Sequence, residues 1–184
     1  MKRILLSLLL LISVFSIPAL VHAQSNKDAT RDATREKLRQ LLQSVDQRAD
    51  VNATLEPSAK EPYVFSGWMR NGFSNVESLE IVISVTKDDT IGFRVYPHYN
   101  NSYINIDKVR NSSGLMRKLL NMSDHNFLYW GADETGDIFS GYTFTLESGF
   151  PSEAITIVMR SIRNTDGFVG EMRPFIDGSY APAK

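Results

Sequence analysis

Leu79-Glu-Ile-Val-Ile-Ser-Val-Thr-Lys-Asp-Asp-Thr-Ile-Gly-Phe-Arg-Val-Tyr96 is the stretch whose reading decides the fold. Leu79, Ile81, Ile83 and Val85 alternate with Glu80, Ser84 and Thr86. Lys87 to Thr90 turns the chain, and Ile91, Phe93 and Val95 then alternate with Gly92, Arg94 and Tyr96. A period of two with one apolar side predicts two antiparallel strands that bury one face. Val82 interrupts the polar side, which suggests partial cover there as well.

The same pattern extends in both directions. Tyr63 to Arg70 is aromatic and β-branched and ends at Asn71-Gly72, a strong signal for a tight hairpin turn because both turn positions favour φ > 0. C-terminal to the quoted stretch, residues 97–110 read as a turn and a short extended piece. Asn111-Ser-Ser113 offers N-cap chemistry, and Leu115, Met116, Leu119 and Leu120 follow at helical spacing, predicting a helix over about 112–122. Two further strands follow, over 126–132 and 137–147, with Ile138, Tyr142, Phe144 and Leu146 on one face. Pro151 opens another helix with Ile155, Val158, Met159 and Ile162 as its stripe, and Asp166-Gly167 reads as its stop, with Phe168, Val169 and Met172 able to resume a further turn or two. Before the sheet, Leu38, Leu41, Leu42 and Val45 mark a helix over about 32–47, followed by a linker at 50–62. The predicted order is α-β-β-β-α-β-β-α. The fold class is therefore α+β, a five-stranded antiparallel sheet with helices packed on one face.

The N-terminus reads as an export signal. Lys2 and Arg3 precede an apolar run from Ile4 to Ile17, and Val21-His22-Ala23 offers small residues at the positions a signal peptidase reads. Cleavage after Ala23 would leave Gln24 to Lys184, 161 residues: a polar lead-in at 24–34, a single domain at 35–176 and a tail at 177–184. Retention of the segment as an anchor is the alternative. The expected location is periplasmic or secreted, with no stable membrane insertion after cleavage. Without Lys2 and Arg3 the chain carries 18 basic and 21 acidic residues, a net charge of −3 with histidine neutral. That balance does not favour nucleic acid, which calls for a clustered basic face. The absence of cysteine excludes thiolate metal sites and thiol nucleophiles, and leaves stability to the hydrophobic core.

The element order, together with Ile91-Gly-Phe-Arg-Val-Tyr96, the helix Leu115-Met-Arg-Lys-Leu-Leu-Asn121 and the strand pair after it, resembles the YbjN-like domain family, over about residues 35–175. That family shares its fold with the type III secretion chaperones. The resemblance implies a small, often dimeric, non-enzymatic domain that contacts other proteins, with no catalytic residues to carry over. An export signal departs from the cytoplasmic setting of such chaperones.

Several chemistries are weighed and set aside. Asp133, Glu134 and Asp137 do not match a calcium loop, because the next acid, Glu147, lies at the far end of a strand, so they read as a hairpin tip. Nothing marks a glycosidase-like carboxylate pair as buried. Ser66-Gly67 and Ser140-Gly141 lie inside strands rather than at nucleophile elbows. His98 and His125 sit in polar, turn-like contexts, and phosphate-cradling glycine loops are absent. No catalytic residue, cofactor or metal is expected. The aromatics have two readings: core packing, or a partner surface on the sheet face that helices leave open. Arg94, Tyr96 and Trp130 are the candidate partner-binding residues. The expected function is an exported protein-interaction or regulatory module with an unknown protein partner and a homodimeric assembly (alternatively, a periplasmic small-ligand or lipid-binding module).

Overall fold

The computed structural model describes residues 17–46 and 53–179, with side chains from residue 30. The signal-like residues 1–16 and the last five residues of the tail lie outside this range. No helix among the described residues is long and apolar enough to cross a membrane.

A helix α1 (Ile17–Asp46) leads into strands β1 (Thr54–Pro57), β2 (Val64–Met69), β3 (Ser78–Val85), β4 (Thr90–Tyr99) and β5 (Ser102–Tyr103). Helix α2 (Ser112–His125), strands β6 (Tyr129–Ala132) and β7 (Ile138–Thr145), helix α3 (Ser152–Ser161), a 3₁₀ turn (Ile162–Asn164) and helix α4 (Thr165–Ile176) follow. The class is α+β, as predicted. Among the described residues the sheet has seven strands rather than five, in the order β1-β2-β3-β4-β7-β6, with β5 beside the end of β4.

Both additional strands have local causes. β1 lies in the predicted linker. It is a short edge strand in which Leu55 alone turns inward, too polar and too close to Pro57 to read as a strand. β5 exists because β4 continues through Pro97. The β4–β7 pairing ends at Val95↔Ser140, so Pro97 needs no N–H on that side. Asn100 and Asn101 then take φ of 54° and 61°, the left-handed pair of a two-residue type I′ turn, and return the chain as β5.

The buried face of the sheet is built from Phe65 and Met69, Leu79 to Val85 at alternate positions, Ile91, Phe93 and Val95, and Ile138 and Phe144. The helices cover it with Leu38, Leu42 and Val45 from α1, Leu115, Leu119 and Met122 from α2, Ile155 and Met159 from α3, and Val169 and Met172 from α4, in one continuous core. In α2 the buried stripe is shifted from the predicted one: Met116 and Leu120 are exposed and Met122 is buried. Helix α1 also runs through residues 24–34. Arg31 secures this portion by donating from Nε and Nη2 to the Val85 carbonyl at the end of β3 (2.9 and 2.6 Å), with its guanidinium over the Tyr63 ring.

The residues Asp166-Gly167 start a helix rather than stop one. Asp166 lies in the first turn of α4, and its carboxylate accepts the backbone N–H groups of Ser74, Asn75 and Val76 at 2.7–3.1 Å. This contact also explains why Asn71-Gly72 does not make a two-residue hairpin. The chain between Met69 and Ser78 is an eight-residue loop gathered around a carboxylate about ninety positions away in sequence. Asp166→Ala leaves those donors without a protein acceptor and is expected to destabilise the fold by about 2 kcal/mol in urea unfolding. Asp166→Asn, which keeps one acceptor oxygen, should lose less; equal stability of all three proteins would remove the carboxylate from this role.

Candidate functional site

Among the described residues all the helices pack on one side of the sheet and leave its other face open. Alternation and register fix what stands on it. Trp68, Glu80 and Tyr96 are directly paired across β2, β3 and β4. One step along, Val82, Arg94, Gly141 and Tyr129 are paired across β3, β4, β7 and β6. His98 pairs with Tyr103, and Phe139 with Gly131.

Six rings from β2, β4, β5, β6 and β7 form an unbroken row on this face. Trp68 meets His98 at 4.7 Å between ring centroids, and His98 meets Tyr103 at 4.3 Å. Tyr103 meets Tyr96 at 5.8 Å, Tyr96 meets Phe139 at 5.6 Å, and Phe139 meets Tyr129 at 6.1 Å. Most of these contacts are tilted or edge-to-face, as the ring quadrupole favours. Two glycines let the rings lie low. A Cβ on Gly141 would fall 2.6 Å from the Tyr129 ring, and one on Gly131 would fall 3.1 Å from Phe139. Aromatic cover of strand glycines of this kind also helps to pin register. Tyr103 and Tyr129 remain about 40 % exposed, whereas Phe139 beneath its neighbours is buried.

Charges are set into the row. The Arg70 guanidinium stacks over Trp68 at 4.7 Å, and that of Arg94 over Phe139 at 4.6 Å. Arg94 also donates a long hydrogen bond (3.4 Å) to the Tyr96 hydroxyl, which holds it firmly protonated. The Glu80 carboxylate accepts the Tyr103 hydroxyl proton and lies 3.8 Å from His98 Nε2. Burial, then the hydrogen bond to Glu80 and the charge of that carboxylate, push the Tyr103 phenol well above its ordinary value. Because the folded value is raised, this contribution to stability is fully present below the unfolded phenol's pKa of about 10 and is lost as pH rises through the folded value. Stability should therefore fall on alkaline titration above about pH 10. Tyr103→Phe should flatten that fall and remove one late-appearing phenolate from the ultraviolet titration; an unchanged titration would contradict this assignment.

Arg94 and Tyr96 share this face, opposite Phe93 and Val95. Trp130 does not join them. Its partner in register is Ser140, which faces the helices, so the indole is 7 % exposed and packs edge-on against Phe168 of α4. Its backbone N–H reaches Ser123 Oγ in α2, while its Nε1 is buried with no hydrogen-bond partner in the structure. The chain's two tryptophans thus lie on opposite faces of the sheet. Sequence reading missed Trp68 and His98 as members of a site; a signal for His98 and Tyr103 lay in the Asn100-Asn101 pair, which predicts a hairpin returning beside β4.

The acidic cluster forms the tip of the β6–β7 hairpin. Asp133 and Asp137 close it through backbone bonding, with Gly136 at φ 84°. Asp133 Oδ1 accepts from Thr135 N, Thr135 Oγ1 and Asp137 N at 2.7–3.1 Å. Partial burial raises its pKa, but these hydrogen bonds outweigh it and hold the carboxyl below its usual value. Asp137 accepts from Asn105. Among the described residues no group of three or more histidines and carboxylates is placed to hold a metal ion. One cavity of about 500 Å³ lies along α2 and the end of α4, beside Asn111, Gly114, Lys118 and Phe175. A second of about 220 Å³ lies by the β4–β5 turn, beside Tyr99, Ser102, Ile104 and Asp177. Neither lies between sheet and helices, the place that a small-ligand or lipid-binding module would use.

No protein-family profile matches the chain, and no curated protein matches it. Among solved structures, a chain from the crystal structure of the ExsC-ExsE complex aligns over 78% of this chain and 96% of its own length, at 11% identity and a TM-score of 0.41. The likeness is too distant to carry residues or partners across.

Proposed function

We propose that the protein is an exported, non-enzymatic interaction module of the YbjN-like kind that docks a protein partner on the open face of its sheet. The single observation behind this reading is the row of six rings on the face that helices leave uncovered. Exposed aromatics with polar handles, arranged contiguously and flanked by arginines, have the composition of an interface centre. Export is supported by the basic pair, apolar run and small-residue site at the N-terminus. Three carboxylates are engaged in holding structure: Glu80 within the row, Asp133 in its turn and Asp166 in its loop.

The test is affinity capture from the native compartment with the wild-type protein and with a Tyr103→Ala/Tyr129→Ala variant. Both tyrosines are well exposed, so the variant should fold, as circular dichroism would verify. A partner retained by the wild type and lost by the variant is the expected result. Equal recovery by both proteins overturns the docking face. N-terminal sequencing of the cellular protein is expected to begin at Gln24; a cytoplasmic protein beginning at Met1 would end the export reading.

A further inference from the structure

We infer that the open face receives an extended acidic segment of its partner, with two carboxylates about four residues apart that pair with Arg70 and Arg94 and an apolar side chain midway between them. This rests on the reading of the face as a protein-docking surface and adds the chemistry of what docks there.

The two guanidiniums carry the inference. Each stacks on a ring of the row, Arg70 on Trp68 and Arg94 on Phe139. Stacking covers those ring faces but leaves in-plane N–H donors available on both guanidiniums, a geometry suited to bidentate carboxylate binding, although Nη1 of Arg94 already donates to the Tyr96 hydroxyl. No carboxylate of the described residues lies within 4 Å of either guanidinium, although Arg94 feels the charge of Asp133. The nearby acids are already engaged. Glu80 accepts from Tyr103, Asp133 from Thr135 and the Asp137 amide, and Asp137 from Asn105. Glu56 is exposed at the far edge, on β1. The chain as a whole is slightly acidic, yet this face carries two guanidiniums that no carboxylate of the described residues pairs within 4 Å.

Spacing selects the ligand. Trp68 on β2 and Phe139 on β7 stand at the same level of the sheet, three strand steps apart, about 14 Å at the usual inter-strand distance. A single phosphate cannot span that gap. An extended chain lying across the strands advances about 3.3 Å per residue, so residues i and i+4 are about 13 Å apart and project to the same side. Residue i+2 then falls between Glu80 and Tyr96, where the Tyr103 hydroxyl donates to the Glu80 carboxylate. A sugar would call for bare ring faces, and those of Trp68 and Phe139 are capped by guanidinium.

The test uses the purified protein and three fluorescein-labelled nine-residue peptides, with the centres Glu-Thr-Val-Thr-Glu, Gln-Thr-Val-Thr-Gln and Glu-Val-Glu, read by fluorescence anisotropy. The first is expected to bind at least about tenfold more tightly than the other two, and Arg70→Gln and Arg94→Gln should each remove about that factor, with no change in melting temperature. Arg70→Lys, which keeps the charge but loses the planar fork, should fall between. Equal binding of the Glu and Gln peptides, a preference that survives both arginine substitutions, or tighter binding of inorganic phosphate or a neutral oligosaccharide overturns the inference. The two readings separate in the capture experiment. A native partner lost with Tyr103→Ala/Tyr129→Ala but kept with Arg70→Gln/Arg94→Gln ends the acidic-segment inference and leaves the docking face standing. Recovery unaffected by all four substitutions ends both.

Discussion

Gly67→Val is expected to detach β1 from the sheet and to lower the stability of the fold by about 3 kcal/mol or more. Gly67 lies opposite Leu55 in the β1–β2 ladder, and the backbone of β1 crosses so close that a Cβ would fall 1.9 Å from the Thr54 carbonyl oxygen. Backbone on one side and ladder on the other leave nothing flexible to move, which is the situation in which a strand requires glycine. Loss of β1 also uncovers Ala53 and Leu55, both buried. Urea unfolding gives the magnitude, and hydrogen exchange gives the place. Protection should vanish at Leu55 and Glu56 and on the facing side of β2 while β3 and β4 stay protected. A variant as stable as wild type with β1 still protected would contradict the close crossing.

Phe93→Ala should cost about 3–5 kcal/mol, a large share of the 5–15 kcal/mol that holds a domain of this size. Phe93 stands on β4, between β3 and β7, with essentially no exposure, and its ring meets Phe144 edge-on at 5.6 Å. Truncation leaves a cavity where strands and helices meet, and a rigid sheet cannot collapse into it. The informative comparison is Tyr129→Ala. That ring is well exposed on the opposite face, so its removal should change stability by no more than about 1 kcal/mol while weakening partner binding. Thermal unfolding of the two variants side by side checks this, and similar losses would mean that the aromatic row serves the fold more than recognition.

How much of this was legible in sequence depended on the range over which each feature is decided. The β3–β4 hairpin was readable because alternation from Leu79 to Val95 is a local property. So was the α2 cap, where Asn111 accepts from the Gly114 N–H at 2.9 Å. The loop after β2 was not. Asn71-Gly72 carries the signature of a tight turn, but Asp166, distant in sequence, holds the next three amides and sets a longer path. Asp166-Gly167, an apparent helix stop, instead lies in the first turn of a helix that carries Phe168, Val169 and Met172. The candidate site divided along similar lines. Arg94 and Tyr96 could be placed on one face by counting residues along a single strand. The row could not be foreseen, because its rings come from five strands and become neighbours only through register. Trp130 shows the converse: an aromatic near a hairpin tip reads as exposed, and one step of register turned it inward.

The placement of the two tryptophans gives the molecule a pair of built-in optical probes. Trp130, sealed among α2, α4 and β6, should emit at short wavelength and shift to the red when the core opens. Trp68, lying under Arg70 at the surface, should respond instead to whatever settles on the sheet. Trp68→Phe leaves a protein whose emission follows unfolding alone, and Trp130→Phe leaves one whose emission follows occupancy. Folding and docking could then be recorded separately, in one cuvette and without a label.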